Sequence, residues 1–383
     1  MRYSPLAMAD AESPPPLRFA LVGDNPARPY GMDAARRARV LAGNAGLDPV
    51  DVAEAASGDA LIADLDFAWD PVWLKEMATR PDTVLVKNGR AVLAHVAGPG
   101  REVLLAAMRG RTPYDGSLQR IDADTHEITN TKLRKREHPF VLRLDEATCD
   151  AVERAAYDAS YKGVTDALTL YLWRKPAFYL TRWAARWGLS PNHVTLVGAA
   201  LCFMTAWLWW RGHYWPGMAT GFGFMVLDTV DGKLARTTGQ SSKWGNVFDH
   251  GIDLVHPPFW YWAWFHGLKA TDHGFDRLFV ISMLTAIVGG YIAQRVIEGV
   301  FLARYKMDIH VWRKFDSNFR LVTARRNPNM VILLASLIVG YPWIGIQLVA
   351  LWTLISLIVH AVQLAQANDR ARRGQPVVSW LGE

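Results

Sequence analysis

The sequence predicts a multi-domain protein: a small N-terminal α/β domain, then an all-α six-helix transmembrane bundle with a juxtamembrane interfacial helix. Three observations predict it. The first 145 residues alternate short apolar runs with turn residues, whereas the rest holds six long apolar segments. Hydrophobic residues make up 51% of the 383, with 17 Trp, a bias that suits membrane interfaces. Four carboxylates, Asp228, Asp231, Asp249 and Asp253, stand inside the apolar half. At membrane depth a carboxylate is costly, so it is rarely there without a task. The expected boundaries are 1–145 for the α/β domain and 146–190 for the linker and interfacial helix. The bundle follows at 191–368 and a tail at 369–383.

The formal charge of +6, with so many aromatics, favours an anionic membrane surface as partner and not nucleic acid. Only Cys149 and Cys202 are present, so no disulfide framework exists and a reducing compartment is expected. The start is Pro-rich (Ser13-Pro14-Pro15-Pro16) and shows no basic segment followed by an apolar core. No cleaved signal peptide is expected.

In the α/β domain, Phe19–Val22 reads as a strand closed by Gly23-Asp24-Asn25-Pro26. Asp33 is a good N-cap for a following helix. Ala60–Ala63 reads as a second strand ending at Asp64-Leu65-Asp66, two carboxylates that suit either a metal or a loop cap. Trp69–Thr79 is expected to be an amphipathic helix. Thr83–Val86 and Arg90–Ala94 flank Asn88-Gly89, a strong two-residue hairpin signal, and Arg101–Arg109 reads as another helix. Lys132-Leu133-Arg134-Lys135-Arg136 is a basic patch that suits lipid headgroups or a solvated linker equally.

From Lys162 to Leu189, apolar Leu168, Tyr171, Leu172, Phe178 and Trp183 interleave with Arg174, Lys175, Arg182 and Arg186. The stretch is too charged to span and predicts a helix lying in the interface, capped by Thr165-Asp166 and kinked at Pro176. Ser190-Pro191 marks the next helix start, Ser as N-cap and Pro at the first helical position. Apolar segments then run at 194–211, 215–231, 247–267, 277–300, 329–343 and 345–366. Each approaches the ~20 residues a helix needs to cross the hydrocarbon core. Lys233, Arg236 and Lys243, the 304–326 connection and Arg370–Arg373 carry the positive charge on one side. Positive charge stays inside, so this face, the Asp cluster and both termini are placed toward the cytoplasm.

The carboxylate spacing has a chemical reading. Asp228 and Asp231 are three apart on one helix face, and Asp249 and Asp253 four apart on the next. Brought together they repel, and divalent cations relieve that; hard oxygens without Cys or His favour Mg²⁺ or Mn²⁺. Gly232 leaves room for a phosphate near backbone, Ala235 and Gly245 let the helices approach, and Arg236 suits a bidentate phosphate contact. Gln294, Arg295 and Glu298 interrupt the fourth apolar segment. Two roles fit Arg295: an internal pair with Glu298, or, with Arg320, Arg325 and Arg326, a grip on an acceptor's phosphate. His250 and His256 flank the motif and suit either assistance or a core position; Trp207, Trp209, Trp210, Trp260, Trp262 and Trp264 read as interface belt and packing.

The run D-x2-D-G-x2-A-R-x8-G-x3-D-x3-D resembles the signature of the CDP-alcohol phosphotransferase family at every fixed position, from Asp228 to Asp253. Pro191, Asn192 and Thr195 also match the family's opening of the first span. The resemblance implies a membrane transferase that moves a substituted phosphate from a CDP-alcohol, such as CDP-diacylglycerol, to an acceptor alcohol, releasing CMP. It implies two ions on Asp228, Asp231, Asp249 and Asp253, with Asp253 as general base. Asn192, Asp228, Gly232, Ala235, Arg236 and Gly245 would face the CDP-alcohol, and Arg295, Arg320, Arg325 and Arg326 an acceptor phosphate such as that of inositol or glycerol phosphate. It further implies a homodimer in the bacterial inner membrane. The first domain resembles the nucleotidyltransferase-like domain of some members. Its first loop lacks a glycine cluster, and Pro26 and Pro29 remove amide donors, so no NTP turnover is expected. Two other classes compete: a cation transporter, which predicts carboxylates spread along a pore, and an inactive scaffold tethering the first domain.

Overall fold

The computed structural model describes residues 16–56, 58–240, 243–269 and 275–382; the side chains of residues 56, 241–250, 253 and 254 lie outside that description. The chain divides into two compact units. One holds the residues up to Arg28, Asp33–His126 and Pro139–Cys149; the other holds Pro29–Met32, Glu127–His138 and Asp150 onward.

The first unit is α/β. Its elements are β1 (Arg18–Val22), α1 (Ala34–Asn44), β2 (Asp48–Pro49), β3 (Ala60–Asp64), β4 (Phe67–Trp69), α2 (Val72–Ala78), β5 (Thr83–Lys87), β6 (Arg90–Val96), α3 (Arg101–Gly110) and β7 (Gln119–Asp122). Six strands form one sheet in the order β2-β1-β3-β6-β5-β7. Only β6 runs against its neighbours β3 and β5; the other pairs are parallel. Every residue of β3 is buried, as a strand covered on both faces requires, and its sequence is accordingly an unbroken apolar run up to Asp64. The β5–β6 turn places Asn88 at φ 50 and Gly89 at φ 78, the positive pair a two-residue hairpin of this twist demands. Asp33 caps α1, accepting the Arg36 amide at 2.9 Å.

In this unit one expectation is corrected. Trp69 does not begin a helix; it pairs with Val141 in a two-stranded ribbon. The helix starts only after Pro71, whose fixed φ and missing N–H suit a first turn.

Asp64 and Asp66 are built as a loop cap held by arginines. Asp64 Oδ1 accepts the Asp66 amide at 2.9 Å. Arg90 Nη2 donates to Asp64 at 3.0 Å and to Asp66 at 2.8 Å, and Arg111 Nε reaches Asp66 at 2.9 Å. Burial pushes the Asp64 carboxyl up, and Arg90 pulls it down. The loop after β1 is organised by buried Asn25. Its amide nitrogen donates to the Leu65 and Leu144 carbonyls at 2.8 Å, and its Oδ1 accepts the Ala27 amide at 2.9 Å.

The second unit is helical. Its elements are the β8 (Ile128–Asn130) and β9 (Lys135–Glu137) hairpin, α4 (Cys149–Ala159), α5 (Arg174–Arg186), α6 (Pro191–Trp210), α7 (Tyr214–Thr238), α8 (Lys243–Leu268), α9 (Arg277–Leu284), α10 (Gly290–Tyr305), α11 (Lys314–Arg320), α12 (Arg326–Ile338) and α13 (Pro342–Arg372). A π-helical turn, Thr285–Gly289, joins α9 to α10. Among the described residues, three helical stretches are long and apolar enough to cross a membrane: Pro191–Trp210, Arg277–Tyr305 and Pro342–Arg372. α7 is long enough, but Asp228, Asp231, Lys233 and Arg236 interrupt its last turns. α12, with 13 residues, falls short of the ~20 that span a bilayer.

α5 is amphipathic, burying Ala177, Phe178 and Thr181 and exposing Tyr179, Trp183 and Trp187. Pro176 does not kink it. The helix begins only at Arg174, so Pro176 lies in the first turn, where its missing N–H breaks no bond. Asp166 caps the preceding π-turn through the Thr169 amide at 3.0 Å. The tryptophans divide: Trp209, Trp260 and Trp264 pack in the core, while Trp207 and Trp262 face outward. Tyr30 belongs to this unit. Its amide donates to Glu153 Oε1 at 2.7 Å and its hydroxyl to the Glu153 carbonyl at 2.6 Å.

Candidate active site

Two helices carry the predicted acidic residues. Asp228 and Asp231 share one face of α7, which stops at Gly239, a left-handed residue at φ 72. Positions 249 and 253 lie one turn apart on α8. The side chains of Asp249, Asp253 and Gly245 lie outside the described residues.

Asp231 is buried at 4% exposure, and Thr195 holds it. The Thr195 hydroxyl on α6 donates to Asp231 Oδ2 at 2.7 Å. Ser190 and Pro191 set this register. Ser190 caps α6 by accepting the His193 amide, and Pro191 opens the helix, which turns Thr195 toward α7. Asn192, one turn earlier, is exposed. Asp228 faces a third helix: Arg326, the first residue of α12, donates to its Oδ2 at 2.5 Å. Gly232 leaves room for Arg236. A Cβ at 232 would stand 3.1 Å from Arg236 Nη2, so the guanidinium lies against the glycine of its own helix. Ala235 is half-buried beside it. Lys233, on the buried side of α7, places its ammonium 3.0 Å from the centre of the Tyr161 ring.

The four predicted acceptor arginines do not share one partner. Arg326 goes to Asp228. Arg295 and Arg325 both engage Glu298, Arg325 at 2.7 and 2.9 Å. Arg320 is buried at the end of α11. Two histidines absent from the sequence reading complete the Glu298 node: His310 Nε2 at 3.3 Å and His360 Nε2 at 3.7 Å. Glu298, His310 and His360 together offer a donor set a metal can use. Two guanidiniums already take the carboxylate, so the node acts as a counter-ion for arginine. Nothing in local sequence reveals these histidines, because they come from a short turn and from α13. Burial holds His310 well below the usual imidazole range. His256 takes the core position: its Nδ1 donates to the Ile252 carbonyl at 2.7 Å and its ring packs on Trp260 and Phe224. A narrow cleft is lined by Arg325, Arg326 and Asn329 with Tyr261, Tyr291 and Ile287.

A helical unit with apolar spans and two carboxylates on one helix face, one of them paired with a guanidinium, defines a membrane-type protein with a polar site among its helices. Residues 188–317 match the model of the CDP-alcohol phosphatidyltransferase family. Over 92 residues it is 33% identical to cholinephosphotransferase 1 of Mus musculus, covering 21% of this chain and 23% of that protein. Over 80 residues it is 39% identical to phosphatidylinositol phosphate synthase of Streptomyces avermitilis, covering 20% of this chain and 33% of that one. The chain thus spans a third or less of the length of these relatives. The solved phosphatidylinositol phosphate synthase of Mycobacterium tuberculosis with CDP-DAG bound superposes with a TM-score of 0.39 at 20% identity, over 50% of this chain and 94% of that one. A likeness of that size defines neither fold nor function.

Proposed function

We propose that this protein is an integral membrane transferase that moves a substituted phosphate from a CDP-alcohol to an acceptor alcohol and releases CMP. The observation that carries the reading is the Asp228–Asp231 face of α7, with Asp231 held by Thr195 and Asp228 paired with Arg326. It lies inside the stretch that matches the family.

α6, α7, α8, the joined α9 and α10, α12 and α13 would form the six-helix bundle, with α5 along the membrane surface. The basic connections and the acidic face would look toward the cytoplasm, where CMP leaves. A homodimer in a bacterial inner membrane fits this reading. The donor set of Asp228 and Asp231 is all hard oxygen, which suits Mg²⁺ or Mn²⁺. With Asp249 and Asp253, these residues would hold two such ions, which when bound offset the pyrophosphate charge and make CMP a better leaving group. Thr195 keeps Asp231 oriented. Arg236, lying against Gly232, is set to hold a phosphate oxygen, and Asn192, Ala235 and Gly245 line the CDP-alcohol side. Asp253 takes the proton of the acceptor hydroxyl. Arg295, Arg320, Arg325 and Arg326 favour a phosphorylated acceptor, such as inositol or glycerol phosphate. The first unit reads as a nucleotidyltransferase-like domain without turnover: Arg90 and Arg111 neutralise Asp64 and Asp66, and Asn25 uses the loop amide of Ala27.

The test is CMP release from purified protein given Mg²⁺, CDP-diacylglycerol and single acceptors. Release with one acceptor class and none without metal is expected. No release from any CDP-alcohol, in a preparation that stays folded, rejects the reading.

A further inference from the structure

The β8–β9 hairpin lies in sequence between two segments of the first unit, yet it belongs to the helical one. Its attachment is specific. The Gly163 amide donates to the Leu133 carbonyl at 2.8 Å. A Cβ at Gly163 would stand 2.5 Å from the Arg134 carbonyl oxygen, so only glycine permits this approach. Lys135 Nζ donates to the Ala159 carbonyl at 2.6 Å. Arg134 itself adopts φ 52, and its Nε pairs with Asp308 at 2.8 Å. A fourth tie, the Ala167 amide to the Leu321 carbonyl at 3.0 Å, joins the same loop to the end of α11.

These ties place three cations, Arg134, Lys162 and Arg320, on backbone segments bonded to one another. Their carboxylates are spoken for. Asp308 serves Arg134, Glu298 serves Arg295 and Arg325, and Asp166 accepts from Asn327 and Thr169. Arg320 is 8% exposed, and its Nε and Nη1 are buried with no hydrogen-bond partner among the described residues. Buried donors of a charged group are costly to leave unmade. Lys162 reaches the surface. The protein packed around it, with Arg134, Arg236 and Arg320, lowers its pKa. Burial, then Arg325, does the same to Arg320, with Arg134 adding to it and Asp166 and Glu298 opposing it. The nearby carboxylates are engaged elsewhere, and two of the Arg320 donors stay unmatched.

We propose that Arg134 and Lys162 join Arg320 in binding a phosphomonoester, so that the hairpin supplies part of the acceptor site. This rests on the transferase reading. A phosphomonoester dianion brings two charges and three equivalent oxygens, enough for three donors converging from different segments; a planar carboxylate brings one charge and two oxygens. The phosphate belongs either to a water-soluble acceptor or to a lipid headgroup.

The probe is radiolabelled inorganic phosphate, bound to the full chain in phosphatidylcholine nanodiscs, with Mg²⁺-dependent CDP-diacylglycerol binding measured in parallel. The unaltered protein is expected to bind phosphate. Arg134→Gln should weaken that by about tenfold, the loss of one charge-assisted hydrogen bond. Arg134→Lys should recover part of it, and CDP-diacylglycerol binding should not change. Lys162→Gln, at the surface, should weaken phosphate binding without disturbing the fold, and so tests the site even if Arg134→Gln misfolds. Phosphate binding untouched by both Gln variants overturns the proposal, as does an unaltered protein that binds CDP-diacylglycerol but no phosphate. Failure to bind CDP-diacylglycerol while phosphate still binds would instead remove the transferase reading. Adding phosphatidic acid to the discs separates the sources: displacement of phosphate supports the site with a lipid ligand, and no displacement supports it with a soluble one.

Discussion

Thr195 and Asp231, on neighbouring helices, are joined by a hydroxyl-to-carboxylate hydrogen bond of 2.7 Å. The same hydroxyl lies 3.0 Å from the Pro191 carbonyl of its own helix, so its one proton is shared between two acceptors, with the shorter contact to Asp231. The bond orients a buried carboxylate, as the proposed role of Asp231 in holding a metal requires.

Thr195→Val keeps the shape and removes the donor. It should cost about 1–3 kcal/mol, because one buried carboxylate oxygen loses its partner. CMP release should fall with it, whereas Thr195→Ser should retain both. Thermal unfolding in detergent and a CMP assay read the two effects. A fully active, fully stable Val variant would contradict the role given to this bond.

Asp253→Asn tests the proposed base. The variant should bind CDP-diacylglycerol and metal nearly as before and turn over at least a hundredfold more slowly, the scale of general base catalysis. Donor binding and CMP release measured on one preparation separate the two. Unchanged turnover would assign the proton to another group.

Acid should destabilise the helical unit through His310. Burial places its folded pKa well below the ordinary 6.5, so the unfolded chain binds that proton more readily. Stability from the neutral ring is complete above 6.5 and is lost as pH falls toward the folded value, at no more than about 1.4 kcal/mol per pH unit for one proton. Unfolding followed from pH 8 to 5 should show the decline, and His310→Gln should flatten it. An equally steep decline in that variant would trace the acid loss to other groups.

Arg90 compensates two carboxylates in the first unit. Arg90→Met should destabilise that unit by on the order of 3 kcal/mol at neutral pH, since buried Asp64 keeps its charge and loses its partner. Asp64 already has a raised pKa, through burial first. In the variant it should rise further, so the loss should shrink as pH approaches the carboxylate range. Denaturant unfolding at two pH values checks this, and a pH-independent loss would mean that Arg90 acts through packing alone.

The motif from Asp228 to Asp253, the helix opened by Ser190 and Pro191, the Asn88-Gly89 hairpin and the Asp33 cap were all legible in the sequence. Each is a short-range matter: spacing of three or four on a helix, a capping side chain, a turn that needs positive φ. The start of α2 was misjudged because Trp69 looks apolar and helical by itself, and only its pairing with Val141 makes it strand. The division of the arginines was out of reach for the same kind of reason.

What the sequence by itself determined is where the helices begin and which residues share one of their faces, since periodicity and capping act within a few residues. Only the tertiary structure decided which charge meets which: Arg326 with Asp228, Arg325 with Glu298 beside His310 and His360, and Arg134 with Asp308. Coulomb attraction and desolvation depend on distance and burial, and residues 98 positions apart, as Arg326 and Asp228 are, become neighbours only when the helices pack.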